Sequence, residues 1–436
     1  MQATLLGLSV AIILALVAAL VGPHFVDWTQ YRATFEREAT QLAGMPVRIA
    51  GPIDVRILPT PTITLGRVEF GSAAQPQAKA REVYAELALG SLMRGAVRAS
   101  ELRVVGPELP LGIAANGRIE VPALRVGFDP EQFLIDKVAI EDGRLAFADA
   151  ASGTTVSLEG LWFNGELRSL LGPAKGEGGF ISAGERYGYR LAASRVGEDG
   201  GIKLRLGLDP SDRPLAIEAD GTLRLEDNSP RFEGTLTLAR PAVAGADGRG
   251  TVAVPWRASA KVKAAPSHAL FEQLEYTYGP EARALKLTGT AEFRFGNEPR
   301  LDSVLSARQA DLDRALALPD ASARLPLAAL KAFIEPLASS YRPPFPVRLG
   351  IGIDAVTLAA GTLQNVRGDI KLDHDGWDIE TLELRAPGFA QVRLSGKVTP
   401  APGGLTFRGP AQVEASDPKL FAAWLEGRTD AAQRQA

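Results

Sequence analysis

The side chains best suited to catalysis or metal binding are sparse and scattered along these 436 residues. His24, His268 and His374 are the only histidines and lie in unrelated contexts, which argues against a His-based triad or a His-rich metal site. LDHDGWD (372–378) gathers Asp373, His374, Asp375 and Asp378, donors that a cation could use. It lacks the ligand spacing of a calcium loop and falls where a hairpin turn is expected, so it reads as a solvated turn. Asp311 and Asp313 resemble a carboxylate pair, yet they stand directly before a helical run, where an N-cap and a first-turn acid belong. GPAKGEGGF (172–180) is dense in glycine but has no G-x-x-x-x-G-K-[ST] pattern and no strand leading into a helix; it reads as a flexible turn. With no cysteine there is no thiol nucleophile, disulfide or zinc–thiolate site. No catalytic residue, metal site or cofactor is expected, and the chain reads as a non-enzyme.

Composition points the same way. Hydrophobic residues make up 46% and charged residues 23%, with a net charge of −3, so neither disorder nor a nucleic-acid-binding polycation is indicated. Arginines alternate with apolar residues along strands and form no basic stripe with interleaved aromatics. What remains to be explained is a large apolar fraction with no chemistry attached to it.

The elements begin with ATLLGLSVAIILALVAALV (3–21), which is free of charge and as a helix spans about 28 Å, the thickness of a hydrocarbon core. No Lys or Arg precedes it and no clean cleavage site follows, so an uncleaved anchor is expected rather than a signal peptide. DWTQYRATFEREATQLAG (27–44) then spaces Trp28, Tyr31, Phe35 and Leu42 along one helical face, with Asp27 as N-cap and Gly44 as stop. Trp28, Tyr31 and Phe35 are candidates for the membrane interface; packing on the first strands is the simpler reading.

From residue 45 the apolar period becomes two. Val47 and Ile49, Ile53, Val55 and Ile57, Ile63 and Leu65, and Val68 and Phe70 alternate with Arg48, Asp54, Arg56, Thr62, Thr64, Arg67 and Glu69. Pro46, Pro52, Pro59 and Pro61 mark the ends of these strands. The alternation continues through Val83, Ala85, Leu87 and Leu89 and through Leu102 and Val104. Helix returns around 91–95 and over 312–340. Residues 218–240, 287–308 and 394–415 each read as a β-hairpin built to one plan. The expected fold is mainly β: an elongated, curved antiparallel sheet forming a groove or trough, with a few short helices. A sheet with one apolar face must cover that face. The few helices cannot do so, leaving either sheets folded onto one another or a trough open to apolar ligands.

The stretch DWTQYRATFEREATQLAGMPVRIAGPIDVRILPTPTITLGRVEFG, following an N-terminal anchor, resembles the N-terminal signature of the AsmA family: a helix, a glycine turn, a V-x-I-x-G strand and an L-P-x-P segment. FRFGNEPRLDSVLSARQADLDRAL and WDIETLELRAPGFAQVRLSGKV are similar to segments recurrent in that family. The resemblance implies a single-pass inner-membrane protein with its bulk in the periplasm. It also implies an apolar β-groove related to the chorein-like N-termini of bridge-type lipid-transfer proteins, and a role in phospholipid transport toward the outer membrane and in envelope integrity. Its expected partners are phospholipid or another acyl-chain lipid, the inner membrane and envelope proteins, with no nucleic acid. On this reading Val47, Ile49, Val55, Ile57, Ile63, Leu65, Val68 and Phe70 line the lipid groove. Relatives are often longer, which leaves open a shorter member, a truncated chain or a need for a partner. The regions expected are an anchor (1–23), an AsmA-like, chorein-like part (24–125), a β-rich groove (126–310), a helical insertion (311–340) and a C-terminal β-rich repeat region (341–436). The alternative function is a scaffold for outer-membrane protein assembly that pairs an edge strand with its client.

Overall fold

The structure, a computed structural model, describes Leu20 and residues 26–72, 75–92, 98–115, 117–120, 134–150, 153–167, 172–226, 229–244, 251–317, 325–340, 345–373, 376–401 and 404–428. The expected anchor, 3–21, lies outside the described residues except for Leu20. Among the described residues no helix is long and apolar enough to cross a membrane. The chain forms two compact units, Met1–Arg213 with Glu218–Arg231, and Pro214–Ile217 with Phe232–Ala436.

The first unit opens with a 3-10 turn, Trp28–Tyr31, capped by the Asp27 carboxylate, which accepts from the Thr29 N–H. Helix α1 (Arg32–Ala43) follows and stops at Gly44, whose left-handed φ of 65° a side chain would strain. The strands are β1 (Val47–Ile49), β2 (Ile53–Arg56), β3 (Thr62–Ser72) and β4 (Gln75–Leu87). After a short helix, α2 (Leu89–Leu92), come β5 (Arg98–Val105), β6 (Glu108–Ile113), β7 (Ile119–Glu120), β8 (Leu134–Asp149) and β9 (Thr154–Leu167). Strands β10 (Ala174–Ser182), β11 (Glu185–Ala193), β12 (Ile202–Pro210) and β13 (Ala216–Glu226) complete this part of the chain. β1 and β2 lie end to end along β3, and β3 pairs with β4 and β4 with β5, all antiparallel. Strands β8 to β12 form an antiparallel meander.

The second unit contains most of β14 (Ser229–Arg240), the small pair β15 (Val243–Ala244) and β16 (Thr251–Ala253), then β17 (Trp256–Ala265), β18 (His268–Tyr278), β19 (Leu285–Arg294) and β20 (Arg300–Asp311). Helices α3 (Leu312–Leu316) and α4 (Pro326–Ser340) lead to β21 (Val347–Leu358), β22 (Gly361–Leu372), β23 (Trp377–Ala386) and β24 (Ala390–Ala401). Strands β25 (Gly404–Arg408) and β26 (Ala411–Glu414) both pair with β24, and α5 (Pro418–Leu425) follows.

The sheets are mixed, which corrects the expectation of a purely antiparallel arrangement. β5 and β6 run parallel to β8, and β20 runs parallel to β21. Parallel neighbours need a connection of a dozen or more residues that leaves the sheet and returns. Turn signals between adjacent strands carry no trace of such a crossover. The helical segment expected at 312–340 is the β20–β21 crossover.

In the first unit the apolar alternation changes parity along one line across the sheet. Leu65 and Val68 on β3, Val83 and Ala80 on β4, Ile140 and Leu145 on β8, and Phe163 and Leu158 on β9 belong to opposite parities of their strands. On that line Arg67, Gly106, Asp142 and Gly160 have φ of 48°, 59°, 52° and 56°, and the neighbours Arg81 and Glu82, Glu141 and Asp142, and Glu159 and Gly160 are exposed together. An extra residue placed outward in each strand is a β-bulge; it bends the strand and keeps the apolar residues on either side of it on one face. The same device recurs in the second unit, where Arg308 and Gln309, and Gln364 and Asn365, are exposed as consecutive pairs.

Candidate functional site

The registers show how the apolar residues align. In the first unit one row of cross-strand partners runs Leu65, Val83, Val104, Ile140, Phe163 over β3, β4, β5, β8 and β9. Beside it runs Ile63, Ala85, Leu102, Val138. The residues between them form rows of the opposite kind, Thr64, Tyr84, Arg103 and Thr62, Glu86, Glu101, Lys137. Partners share a face and neighbours alternate, so apolar and polar rows lie on opposite faces. Ion pairs such as Arg103–Glu101 at 3.0 Å and Arg98–Asp136 at 2.5 Å are solvated and add little to stability.

A small cluster of Ala99, Ile135 and Val138, with Leu87, Leu102, Ile140, Phe163 and Leu167 against it, is the buried centre of the apolar face. Beyond it most row members, including Ile63, Leu65, Val83 and Val104, are only half-buried. The second unit repeats the pattern with Phe293, Leu301, Val347, Leu372, Trp377, Val398 across β19 to β24. One end of that face is covered by α3, α4 and α5 through Leu312, Ala329 and Trp424, packed with Tyr278, Leu285, Val356, Leu358 and Leu363.

Strand β10 corrects the reading of 172–180 as a flexible turn. Ala174–Ser182 is a paired strand whose glycines make room for aromatic rings. A Cβ at Gly176 would stand 2.6 Å from Phe163 Cζ, and one at Gly178 would meet the ring of Tyr189. The Phe163 and Tyr189 rings are nearly parallel, 7° apart with centroids 6.4 Å apart, and Phe180 lies 5.2 Å from Tyr187. The Tyr189 hydroxyl donates to the Trp162 carbonyl at 3.2 Å, and burial pushes its phenol pKa up. These rings pave the apolar face where aliphatic side chains are missing. The alternation of Gly with aromatics in LWFNG, GEGGF and RYGYR was the available signal.

The groove candidates differ in environment. Val47, Ile49 and Val68 are 6%, 1% and 2% exposed, with no surface left for a ligand. Val55, Ile63, Leu65 and Phe70 are half-buried. Ile57 lies past the end of β2 and is 42% exposed. Of the interface candidates, Tyr31 is 48% exposed, and Trp28 and Phe35 are half-buried, with the Trp28 and Tyr31 rings 6.1 Å apart.

Helix α1 uses a polar ridge at four-residue spacing. Arg32 Nη2 donates to the Gly51 carbonyl at 3.0 Å, Glu36 Oε1 accepts from the Ile49 N–H at 2.8 Å, and Thr40 Oγ1 accepts from the Val47 N–H at 3.0 Å. The helix therefore satisfies the outer edge of β1, a backbone row that would otherwise recruit another strand.

Among the described residues no group of three or more His, Asp or Glu side chains could hold a metal ion. The Asp373 carboxylate accepts from the Gly376 N–H at 3.1 Å in the turn expected there; His374 and Asp375 lie outside the described residues, as does His24. His268 Nδ1 lies 3.0 Å from the Ser267 hydroxyl. Asp311 caps α3 through the Arg314 N–H, as the sequence implied. A hollow of about 490 Å³ lies on the polar side of the second unit, rimmed by Glu272, Glu292, Asp302, Arg348 and Asp369.

Residues 1–126 match the family model described as "AsmA family". No curated protein and no solved structure matches the chain.

Proposed function

We propose, from the premise that residues 1–126 are of the AsmA family, that the protein is a non-enzymatic lipid conduit of the cell envelope. The family and the large β-sheet fit an envelope-associated role. In this reading residues 3–21 hold the chain in the inner membrane, the bulk lies in the periplasm, and phospholipid acyl chains travel along the apolar rows toward the outer membrane. The observation that carries the reading is the half-buried state of those rows. An apolar face that runs across five or more strands, yet is not fully covered, favours an apolar occupant. Acyl chains gain about 25 cal/mol for each Å² withdrawn from water, with no need for specific hydrogen bonds. Lipid extraction and native mass spectrometry of the detergent-purified protein test it, since a conduit retains phospholipid and a preparation free of lipid removes the reading's support.

The scaffold alternative has one observation in its favour. All four residues of β26 are exposed, Val413 among them, so that edge is accessible to a client strand. Photocrosslinkers at Leu65 and at Val413 separate the two. Lipid adducts at Leu65 support the conduit, and protein adducts confined to Val413 support the scaffold.

A further inference from the structure

Asp313 does more than stabilise the first turn of α3. The β21–β22 hairpin closes through a two-residue turn, Ala359 and Ala360, with φ of 50° and 54°. Such a turn favours Asn or Gly, and alanine at both positions is a strained choice. Asp313 Oδ1 accepts from the Ala359 N–H and Oδ2 from the Ala360 N–H, both at 2.7 Å. Successive N–H groups in left-handed conformation converge on an anion, and here the anion is a carboxylate 46 residues earlier in the chain. On the other side of α3, Arg314 Nη2 donates to the Ala282 carbonyl at 2.6 Å, reaching the β18–β19 connection. A helix of five residues is thus tied at both sides to two separate turns of the second unit.

Helix α4, carried on the same crossover, covers the apolar ends of the strands. Ala329 is fully buried, and the Phe333 ring meets Tyr278 edge-on at 5.9 Å. Its outward side carries two leucines beside Lys331: Leu327 is 69% and Leu330 38% exposed. The helix seats through Ala329, Phe333 and Leu337 and leaves Leu327 and Leu330 in water. The β20–β21 ladder does not pass through it, so lifting α4 breaks no sheet hydrogen bond.

We propose that α3 is a two-armed clasp, Asp313 and Arg314, that holds α4 as a removable cover over the apolar strand ends of the second unit. Releasing it uncovers surface for the acyl chains that the rest of the face accepts, a second step that rests on the lipid reading above.

The test compares the full-length wild type with D313A/R314A by hydrogen exchange. Release predicts exchange at least about ten-fold faster over 326–340, protection of the paired strands 347–358 and 361–372 unchanged, and greater fluorescence of an anilinonaphthalene sulfonate probe. Equal exchange in α4, or loss of protection in 347–358 and 361–372 together with α4, overturns the clasp, because either result makes α4 ordinary core. A359G/A360G is the companion variant. It relieves the turn and keeps both N–H donors, so α4 should exchange no faster than in wild type, and acceleration there overturns the assignment. Uptake of labelled phosphatidylethanolamine from phosphatidylethanolamine–phosphatidylglycerol vesicles reads the second step. Increased uptake by D313A/R314A supports it. A released cover that takes up the probe dye but no more lipid than wild type leaves the clasp standing and overturns the lipid step.

Discussion

Leu65 and Thr64 are adjacent on β3 and face opposite ways, so one new side chain placed at each position separates the two faces. Lys at 64 stands opposite Asp54 and Tyr84 on the polar face, where an opposite-charge neighbour is available. Lys at 65 enters a row of Ile53 and Val83. Thr64→Lys is expected to leave stability within about 0.5 kcal/mol. Leu65→Lys should cost about 1–3 kcal/mol, because the half-buried leucine is lost and a charge must escape the apolar row. Urea midpoints measure both, and lipid crosslinking at a neighbouring row position should fall only for Leu65→Lys. In Gly176→Ala the new methyl meets the Asn164 carbonyl as well as the Phe163 ring, and backbone cannot swing aside as a side-chain tip can. A loss of about 1–3 kcal/mol is expected. A variant as stable as wild type in urea would show that the ring does not lie over the strand. Reading GPAKGEGGF as a turn followed from counting glycines; what decides a strand here is the rings of adjacent strands, which no local window contains.

The elements at the sheet edges follow a shared plan. Gly51-Pro52 separates β1 from β2 against Gly66, and Gly409-Pro410 separates β25 from β26 against Gly396, each glycine too close to its neighbour for a side chain. A break of this kind with a proline in it shortens the run of free donors and discourages edge pairing. β1 has the further cover of α1. Removing its ridge in Glu36→Ala/Thr40→Val leaves the N–H groups of Val47 and Ile49 without acceptors, at about 1–3 kcal/mol for each one kept from water. Part of that loss should reappear as self-association through the bared edge. Sedimentation velocity checks this: wild-type behaviour in the double variant would mean that α1 does not guard β1. The strands themselves were legible because alternation is local. Helix α1 was legible with its stop at Gly44, whereas Asp27, expected as its N-cap, caps the 3-10 turn Trp28–Tyr31 that precedes it. The partners of its polar side chains were not, since Glu36 and Thr40 look like ordinary solvated residues until β1 is placed beside them.

For the molecule as a whole, the sequence is most informative where the signals are short-range and repeated. The strand-rich class, the single apolar face and the helices at 312–340 could be read from period and punctuation. The parallel crossovers, the parity line through Arg67 and Asp142 and the clasp at Asp313 could not, because each depends on residues tens of positions apart meeting in register. Residues 3–21 are the proposed membrane anchor. They carry no charge and would span about 28 Å as a helix, and no clean small-residue cleavage site follows them. The mature protein should therefore keep its N-terminus and remain with the membrane fraction through a high-salt or carbonate wash, entering solution only with detergent. The apolar rows alone do not predict this, since a half-buried sheet face binds single lipid chains without spanning a bilayer. Intact-mass measurement on the purified protein decides it: a mature start near residue 20 would identify the segment as a signal peptide, and the conduit would then need another means of reaching the bilayer that supplies its lipid.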